Sequence, residues 1–186
     1  MSLLDIHVLG SPILRETTTP VAEVTDDVRR LIDDMFETMY AANGVGLAAP
    51  QVGRRERVAV IDVGEGPIAI VNPEVVAFSG SQRGEEGCLS IPEVFADVDR
   101  AAHVTVRATS VEGDPFEISG SDLLARCLLH EIDHLHGKLF LDYLSVLKRR
   151  SAMNRWEKLR QEFPGNRRTL SAQEIGEHNS RPDEEL

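Results

Sequence analysis

The chain has 186 residues, of which 41% are hydrophobic and 27% charged, a length and composition typical of one soluble globular domain. Its 20 basic and 31 acidic side chains give a formal net charge of −11, which argues against DNA as a partner. No signal peptide opens the sequence, and no stretch reaches the roughly 18 apolar residues of a membrane span. Two cysteines are too few for a disulfide framework, so we expect a cytoplasmic protein with reduced thiols and no membrane contact.

The first predicted element is a helix within 25–44. Thr25 can cap its start, and Gly44 follows its close. Apolar residues recur there at spacings of three and four and form one stripe on the helix, namely Val28, Leu31, Ile32, Met35, Phe36 and Met39. The stripe predicts that one face of this helix packs against the core.

The next segment, GVGLAAPQVG at 44–53, is rich in glycine and alanine and is interpreted as a loop. The stretches that follow are rich in β-branched residues and bounded by glycine and proline, which predicts strands. They cover 57–64, 67–80, 94–113, which is long enough for two strands, and 114–119.

A second helix is predicted to begin near Ser121 and to end at Gly137, and it is apolar almost all round, as buried helices are. A third helix is predicted over 146–162. We interpret 1–163 as a single domain and 164–186 as a disordered polar tail. The predicted fold class is α+β, with mainly antiparallel sheets packed around the second helix and with flanking N- and C-terminal helices.

Residues 130–134 of the second helix read HEIDH. His130 and His134 lie one turn apart on the same face, so both imidazoles can bind one metal ion. Glu131 points roughly 100° away from His130, beside the ion, where it can take a proton from a bound water. Asp133 can orient a ligand or pair with an arginine. These residues could share a helix by chance, but the apolar turn before them makes unpaired polar groups costly, which favours a metal site.

Two ligands do not hold a catalytic metal ion, so a third donor is required. The zinc-protease motif H-E-x-x-H-x-x-G-x-x-H fails because Phe140 stands in the place of its last histidine. Glu157 and Glu162 are available downstream but lie on a basic helix without an apolar setting. Cys88 in EEGCLSIP offers a thiolate that suits zinc or iron(II) and leaves a fourth position open for water. Cys127 competes for this role, although a core position is commoner for a cysteine in a buried helix.

Three stretches resemble the signature motifs of the peptide deformylases in order and spacing: GVGLAAPQ at 44–51, EGCLS at 86–90 and HEIDHLHG at 130–137. The similarity extends to the end of the third helix. It implies a metal-dependent hydrolase that acts in translation. Such an enzyme removes the N-formyl group from formyl-methionine at the N-terminus of nascent bacterial or organellar polypeptides and releases formate.

Carried over to this sequence, the resemblance implies that Cys88, His130 and His134 bind one divalent metal ion. It makes Glu131 the general acid and base. It also implies that iron(II) is the working ion in the cell, with zinc or another divalent ion common in isolated protein.

The resemblance further implies that the side-chain amide of Gln51 and the backbone N–H of Leu89 hold the formyl oxygen as it gains charge. The backbone at Gly46 would grip the substrate peptide. Two positions depart from the family pattern. Leu129 stands where glutamine is frequent, and Glu93 stands where glycine is common, in the loop beside the implied substrate.

Two other functions stay open from the sequence. One is a zinc endopeptidase or aminopeptidase with the same helix motif, and the other is a binding module that keeps the metal ion without turnover. The presence of Glu131 and Gln51 argues against the binding module, because holding a metal ion requires neither. Val45 and Ile132 are candidates to line an apolar pocket for the methionine side chain.

The third helix and the residues after it are basic. Residues 146–168 carry two acidic side chains against eight basic ones, which are Lys148, Arg149, Arg150, Arg155, Lys158, Arg160, Arg167 and Arg168. Such a face is usually only solvated. Because the implied substrate is a nascent chain, ribosome contact through 146–162 is a hypothesis.

Overall fold

The computed structural model describes residues 2–170. The helices and strands of this part of the chain are, in order, β1 (Ile6–His7), α1 (Asp26–Ala41), β2 (Gly46–Ala48), β3 (Val58–Ile61), β4 (Ile68–Ser79), β5 (Gln82–Cys88), β6 (Ile91–Arg100), β7 (His103–Thr109), β8 (Pro115–Ser121), α2 (Asp122–Leu135), α3 (Val146–Leu159) and β9 (Arg167–Arg168). Short 3-10 turns connect several of them, among them Ala49–Val52 and Phe140–Tyr143.

The largest sheet has five antiparallel strands in the order β2-β3-β4-β7-β8. Strands β5 and β6 form a separate antiparallel hairpin, in which Cys88 pairs with Ile91 after a register shift beyond Glu86. Strands β1 and β9 pair with each other, with Ile6 opposite Arg168. The mixture of helices with antiparallel sheet confirms the α+β prediction.

Helix α2 packs against the five-stranded sheet. Its apolar side chains share one buried cluster with those of β3, β4 and β7: Ala125, Leu128 and Leu135 with Ala59, Ile61, Ile70 and Val106. Because this helix is covered by sheet, the polar residues near its end are buried as well. The position of HEIDH is therefore fixed by the core.

Helix α1 buries the face that its sequence pattern indicates. The predicted apolar stripe is buried except for Phe36, which is partly exposed. The Thr25 side chain accepts a hydrogen bond from the Val28 N–H at 3.4 Å, as expected of an N-cap. The stripe packs on β2, β3 and β4 in a second cluster that includes Leu47, Val58 and Val71.

The prediction of a loop over 44–53 is wrong. Gly46–Ala48 forms β2, which pairs with β3, and Ala49–Val52 forms a 3-10 turn. Ala48 is fully buried. The small side chains of this segment serve close packing between β3 and α2 rather than a turn.

The predicted disordered tail begins too early. Pro164–Asn166 forms a 3-10 turn, Arg167–Arg168 forms β9, and Leu170 is buried. Strand pairing with β1, at the other end of the chain, orders these residues, and local composition carries no signal of such a distant partner. The rest of the predicted tail, 171–186, lies outside the described residues. The third helix ends at Leu159 and continues as a 3-10 turn.

Candidate active site

Three donor atoms meet where α2 faces the β5–β6 hairpin. The Sγ atom of Cys88 lies 3.3 Å from Nε2 of His134, and that nitrogen lies 3.2 Å from Nε2 of His130. The three donor atoms all lie within 4.8 Å of one another. The structure therefore brings together the three residues that the sequence predicts as ligands.

Local structure explains this meeting. His130 and His134 are four residues apart in α2, so their side chains leave the same face of the helix. Cys88 is the last residue of β5, just past the register shift of the hairpin. An irregularity of this kind bends a strand and re-aims its side chains. The end of β5 thus presents its thiol to the helix.

The donor set fits a divalent metal ion. A four-coordinate site with one Cys and two His ligands at about 2.0–2.3 Å has edges of about 3.3–3.6 Å between donors, close to the two distances above. Oε2 of Glu131 and Nδ1 of His134 are buried and have no hydrogen-bond partner among residues 2–170. A buried carboxylate oxygen without a partner is costly, and a solvent molecule held at the site would satisfy it.

Glu86 fixes the orientation of His130. The Nδ1 atom of His130 lies 2.9 Å from Oε2 of Glu86, so Nδ1–H donates to Glu86 and Nε2 is the ring nitrogen that is left to bind a metal ion. Burial alone would raise the pKa of Glu86, but hydrogen bonds from Arg100 and His130 lower this pKa well below its usual range. Glu86 is therefore a carboxylate at physiological pH.

The two imidazoles differ in proton affinity. Burial lowers the pKa of His130, but hydrogen bonds to Cys88 and Glu86, with the negative charges of Cys88 and Glu131, outweigh burial and raise this pKa well above its usual range. Burial and the charge of His130 lower the pKa of His134 well below its usual range. A metal ion that binds both nitrogens would therefore compete with a proton more strongly at His130 than at His134.

Glu131 lies beside the donor atoms and is 3% exposed. Burial raises the pKa of its carboxyl group to about 7, and the negative charge of Glu86 adds to the rise while His130 opposes it. A carboxyl group with a pKa near the working pH can both accept and return a proton. Gly46 of β2 leaves room for it, because a Cβ there would overlap Oε1 of Glu131.

Gln51 presents its amide N–H to the same place. Its Oε1 accepts a hydrogen bond from the Ala48 N–H at 2.8 Å, which fixes the orientation of the amide. Its Nε2 then lies 3.1 Å from Oγ of Ser90 and 3.6 Å from Sγ of Cys88. Gln51 is fully buried, so the donor is held rigidly at the edge of the site.

A cleft of about 610 Å³ opens beside these groups. Its walls come from 43–46, the β5–β6 hairpin, α2 and the segment after α3, and they include the predicted site residues Gly46, Gln51, Cys88, Leu89, His130 and Glu131. Val45 lines the cleft and is 46% exposed, as a pocket residue would be. Ile132 instead packs in the α2 core cluster, away from the cleft lining.

Cys127, the alternative third donor, lies in the buried core cluster of α2. Its Sγ donates to the Val45 carbonyl at 3.4 Å. It does not belong to the group of converging donor atoms. Its packing agrees with the core role that the sequence favoured.

Sequence reasoning missed the charged residues behind the donor atoms. Glu86, Arg100 and Arg126 are each less than 9% exposed. Each of the two arginines forms an ion pair with Glu86. Asp133, predicted to orient a ligand or pair with an arginine, pairs with Arg100 at 2.6 Å. An arginine in the middle of the otherwise apolar α2 sequence was the available signal, since an arginine there requires a buried acidic partner.

An α+β fold that gathers one cysteine, two histidines of an HExxH helix and a buried glutamate in a cleft is typical of metal-dependent hydrolases. Comparison with known proteins narrows this class to one family. The sequence profile of the polypeptide deformylases matches residues 3–150. The chain is 52% identical over 163 residues to a peptide deformylase of Alkalilimnicola ehrlichii, covering 86% of this chain and 92% of that protein. It is 51% identical over 150 residues to one of Desulfitobacterium hafniense, covering 81% and 100%.

Solved structures agree. The crystal structure of a peptide deformylase from Legionella pneumophila matches with a TM-score of 0.83 and 48% identity, covering 87% of this chain and 97% of that one. That of Ehrlichia chaffeensis peptide deformylase in complex with actinonin matches with a TM-score of 0.83 and 40% identity, covering 88% and 99%. The chain belongs to the peptide deformylase family, enzymes that remove the N-formyl group from nascent polypeptides. The family resemblance and the hydrolase function predicted from the three motifs are thereby confirmed.

Within residues 2–170, no helix has the length and apolar character to cross a membrane.

Proposed function

We propose that Cys88, His130 and His134 hold one divalent metal ion, beside which Glu131 serves as general base and then general acid in the deformylation of N-formyl-methionyl peptides. The observation that carries this proposal is the meeting of the three donor atoms within 4.8 Å, next to a buried glutamate oxygen without a partner.

The proposed roles of the metal ion and of Glu131 follow from their charges and proton affinities. When bound, a divalent metal ion would lower the pKa of a water molecule toward about 7 and polarise the formyl carbonyl. Glu131 takes the proton of the attacking water, since burial raises the pKa of its carboxyl group in the metal-free site and so increases its strength as a base. Glu131 then returns this proton to the departing amine.

The oxygen of the formyl group gains negative charge during attack and requires donors. The Nε2 group of Gln51, held by the Ala48 contact, supplies one, and the backbone N–H of Leu89 supplies another. Both residues line the cleft next to Cys88. The backbone at Gly46 also lines the cleft, and its lack of a side chain would let a substrate peptide approach closely.

Metal content separates the proposed ligands from the other cysteine. Cys88→Ala and His134→Ala should each lose the metal ion on dialysis and lose activity. Cys127→Ala, the matched control, should keep one metal ion per chain. Glu131→Gln should keep the metal ion and lose at least about 10²-fold in kcat. A Cys88→Ala variant that retains a full complement of metal ion and activity contradicts the proposal.

The working metal ion is proposed to be iron(II). One thiolate with two imidazoles suits both iron(II) and zinc, and the family resemblance favours iron. Anaerobic removal of metal and reconstitution with each ion in turn tests this. We expect higher kcat/KM with iron(II) than with zinc, and a decline of the iron form in air. Equal kcat/KM for the two forms contradicts the assignment.

Substrate choice separates deformylation from peptidase activity on the same motif. Formyl-, acetyl- and unblocked Met-Ala-Ser peptides are compared, and formate release is measured beside peptide-bond cleavage. We expect turnover of the formyl peptide alone. Actinonin, which the Ehrlichia chaffeensis enzyme binds, should compete with it. Cleavage of the unblocked peptide would indicate an aminopeptidase instead.

Ribosome contact through 146–162 is proposed as a second property of this chain. Lys148, Arg150 and Arg155 are exposed on α3 and can face an anionic surface. Arg149 differs, because it donates to the carbonyls of Leu141 and Asp142. Reversing the three exposed charges should therefore lower co-sedimentation with ribosomes and leave the fold intact.

The matched control reverses three other exposed charges, Arg30, Arg83 and Arg107, which lie on α1, β5 and β7. Co-sedimentation that is unchanged in the α3 variant, or equally weakened in the control, removes the ribosome hypothesis. We also propose a cytoplasmic location, because nascent chains are met there and Cys88 and Cys127 are both free thiols. Cell fractionation that finds the protein in a membrane or extracellular fraction contradicts this location.

A further inference from the structure

Four charged side chains, three of them buried and the fourth partly buried, lie between the β5–β6 hairpin and α2. Glu86 and Arg100 come from the hairpin, and Arg126 and Asp133 come from the helix. Their side chains are 3%, 4%, 9% and 16% exposed, respectively. Charges in such surroundings are costly unless each is paired. We call these four residues the charge quartet.

Every member of the quartet is paired across the two elements. Arg100 donates from Nε and Nη2 to the two carboxylate oxygens of Glu86, at 2.7 and 2.9 Å. Its Nη1 reaches across to Asp133 on the helix at 2.6 Å. Arg126 donates from the helix to Glu86 at 2.8 Å and to the Val98 carbonyl at 2.9 Å. Three of these contacts therefore join the hairpin to α2.

Tyr143 covers the quartet. Its ring lies 4.4 Å from the Arg100 guanidinium, and its hydroxyl donates to Oδ1 of Asp133 at 2.9 Å. On the opposite side Gly84 faces Arg126, where a Cβ would lie 3.1 Å from Nη2. The guanidinium groups thus have defined positions with little free space around them.

The quartet also touches the proposed ligands. Glu86 accepts from Nδ1 of His130 and stands two residues before Cys88, while Asp133 is adjacent to His134 in the helix. Two positive and two negative charges cancel, so the quartet adds no net charge to the site. Besides the individual charges that act on Glu131, the quartet can therefore affect the site through the positions of the two elements that it joins.

We propose that the charge quartet holds the hairpin that carries Cys88 against the helix that carries His130 and His134, so that the three donors keep their spacing before a metal ion arrives. Arg126 is the positioning residue best suited to test this proposal. It connects the helix to Glu86 without touching any of the three donors. The inference rests on the proposed ligand set.

The test uses Arg126→Met, which keeps an unbranched side chain about as long as the arginine up to Nε and removes the charge and the donors of the guanidinium. The probe is Co²⁺ alone, bound to metal-free protein. Its dissociation constant is measured by competition with a chelator, and its visible spectrum reports thiolate binding and coordination geometry. We expect Co²⁺ affinity to fall about 10–100-fold, as for lost partners of metal ligands, with an altered ligand-field spectrum. Arg126→Lys, which can restore one bond to Glu86, should recover part of the loss.

The control is Arg107→Met, which removes an exposed ion pair with Glu117 on β7 and β8 and should leave Co²⁺ affinity within twofold. If Arg126→Met does not fold, as judged by circular dichroism of the metal-free protein, Asp133→Asn replaces it. That variant keeps shape and removes one charge, and we expect a loss of at least about threefold.

Folded Arg126→Met, or Asp133→Asn in its place, with Co²⁺ affinity and spectrum equal to those of the parent protein overturns the quartet proposal. Failure of the ligand set has a different signature. In that case the parent protein itself would show no thiolate-to-cobalt band, or the band would survive in Cys88→Ala.

Discussion

Gly46 provides the space in which the Glu131 carboxylate stands. A Cβ at residue 46 would overlap Oε1 of Glu131 and lie 3.0 Å from Sγ of Cys127. The contact joins β2 to α2 at the point where the cleft opens. The Glu131 carboxylate of α2 can therefore occupy its position only because residue 46 of β2 is a glycine.

Gly46→Ala is expected to displace Glu131 and to lower kcat about 10²-fold, because a shift of about 1 Å in a reacting group has that order of effect. Steady-state kinetics on a formyl-Met peptide measures it. Gly120→Ala is the control. Its Cβ would also press on α2, at 2.8 Å from Cγ of Leu124, but away from Glu131. Its kcat should stay within threefold, and an equal loss in both variants would indicate a general packing effect.

Glu131→Gln should stabilise the metal-free protein at high pH. The pKa of Glu131 is raised from 4.5 to about 7, mainly by burial. The folded state therefore binds more protons than the unfolded state between these values, so stability falls as pH rises through this window and is constant above it. At pH 8 the neutral variant avoids a cost of about 3 kcal/mol.

Urea unfolding of the metal-free proteins at pH 4.5 and pH 8 measures this difference. The two proteins should have similar free energies of unfolding at the lower pH and diverge at the higher one. A variant that is less stable than the parent at pH 8 would falsify the burial argument for Glu131.

Two glycines with nearly the same φ allow the stability cost of backbone strain to be measured apart from the cost of steric overlap. Gly137 and Gly165 have φ of +70° and +68°. A Cβ on Gly165 meets nothing within 4 Å, whereas one on Gly137 would lie 2.5 Å from the carbonyl oxygen of Arg15. Gly165→Ala should cost about 1 kcal/mol for its positive φ. Gly137→Ala should cost about 1–3 kcal/mol more, because backbone must move. Equal melting temperatures of the two variants would contradict this reading.

Glu93, where the family commonly has glycine, stands at a φ of +60°. The backbone therefore keeps the conformation that a glycine would favour. Glu93→Gly should be more stable than Glu93→Ala by about 1 kcal/mol, since both remove the side chain and only alanine keeps the strained Cβ. Thermal unfolding of the pair decides the point. The opposite order of stability would show that the loop does not hold this conformation in solution.

The sequence predicted which residues meet at the candidate site better than it predicted the structure that supports them. HEIDH has a helical spacing that can be read directly, and Cys88 lies in a short, recognisable motif. Strand β5, in contrast, has the sequence QRGEEGC, with few β-branched residues, and its pairing with β6 depends on distant packing. The partners of Glu86 are equally hidden, because Arg100 and Arg126 meet it only through the tertiary fold.

The pairing of β1 with β9 has a consequence for when the enzyme becomes competent. Phe163 and Arg168, near the C-terminal end of the described residues, form part of the wall of the cleft, and β9 is held by a strand at the other end of the chain. Until the ribosome has synthesised residues 163–168, this wall is missing. The cleft therefore takes its final form only after β9 can pair with β1.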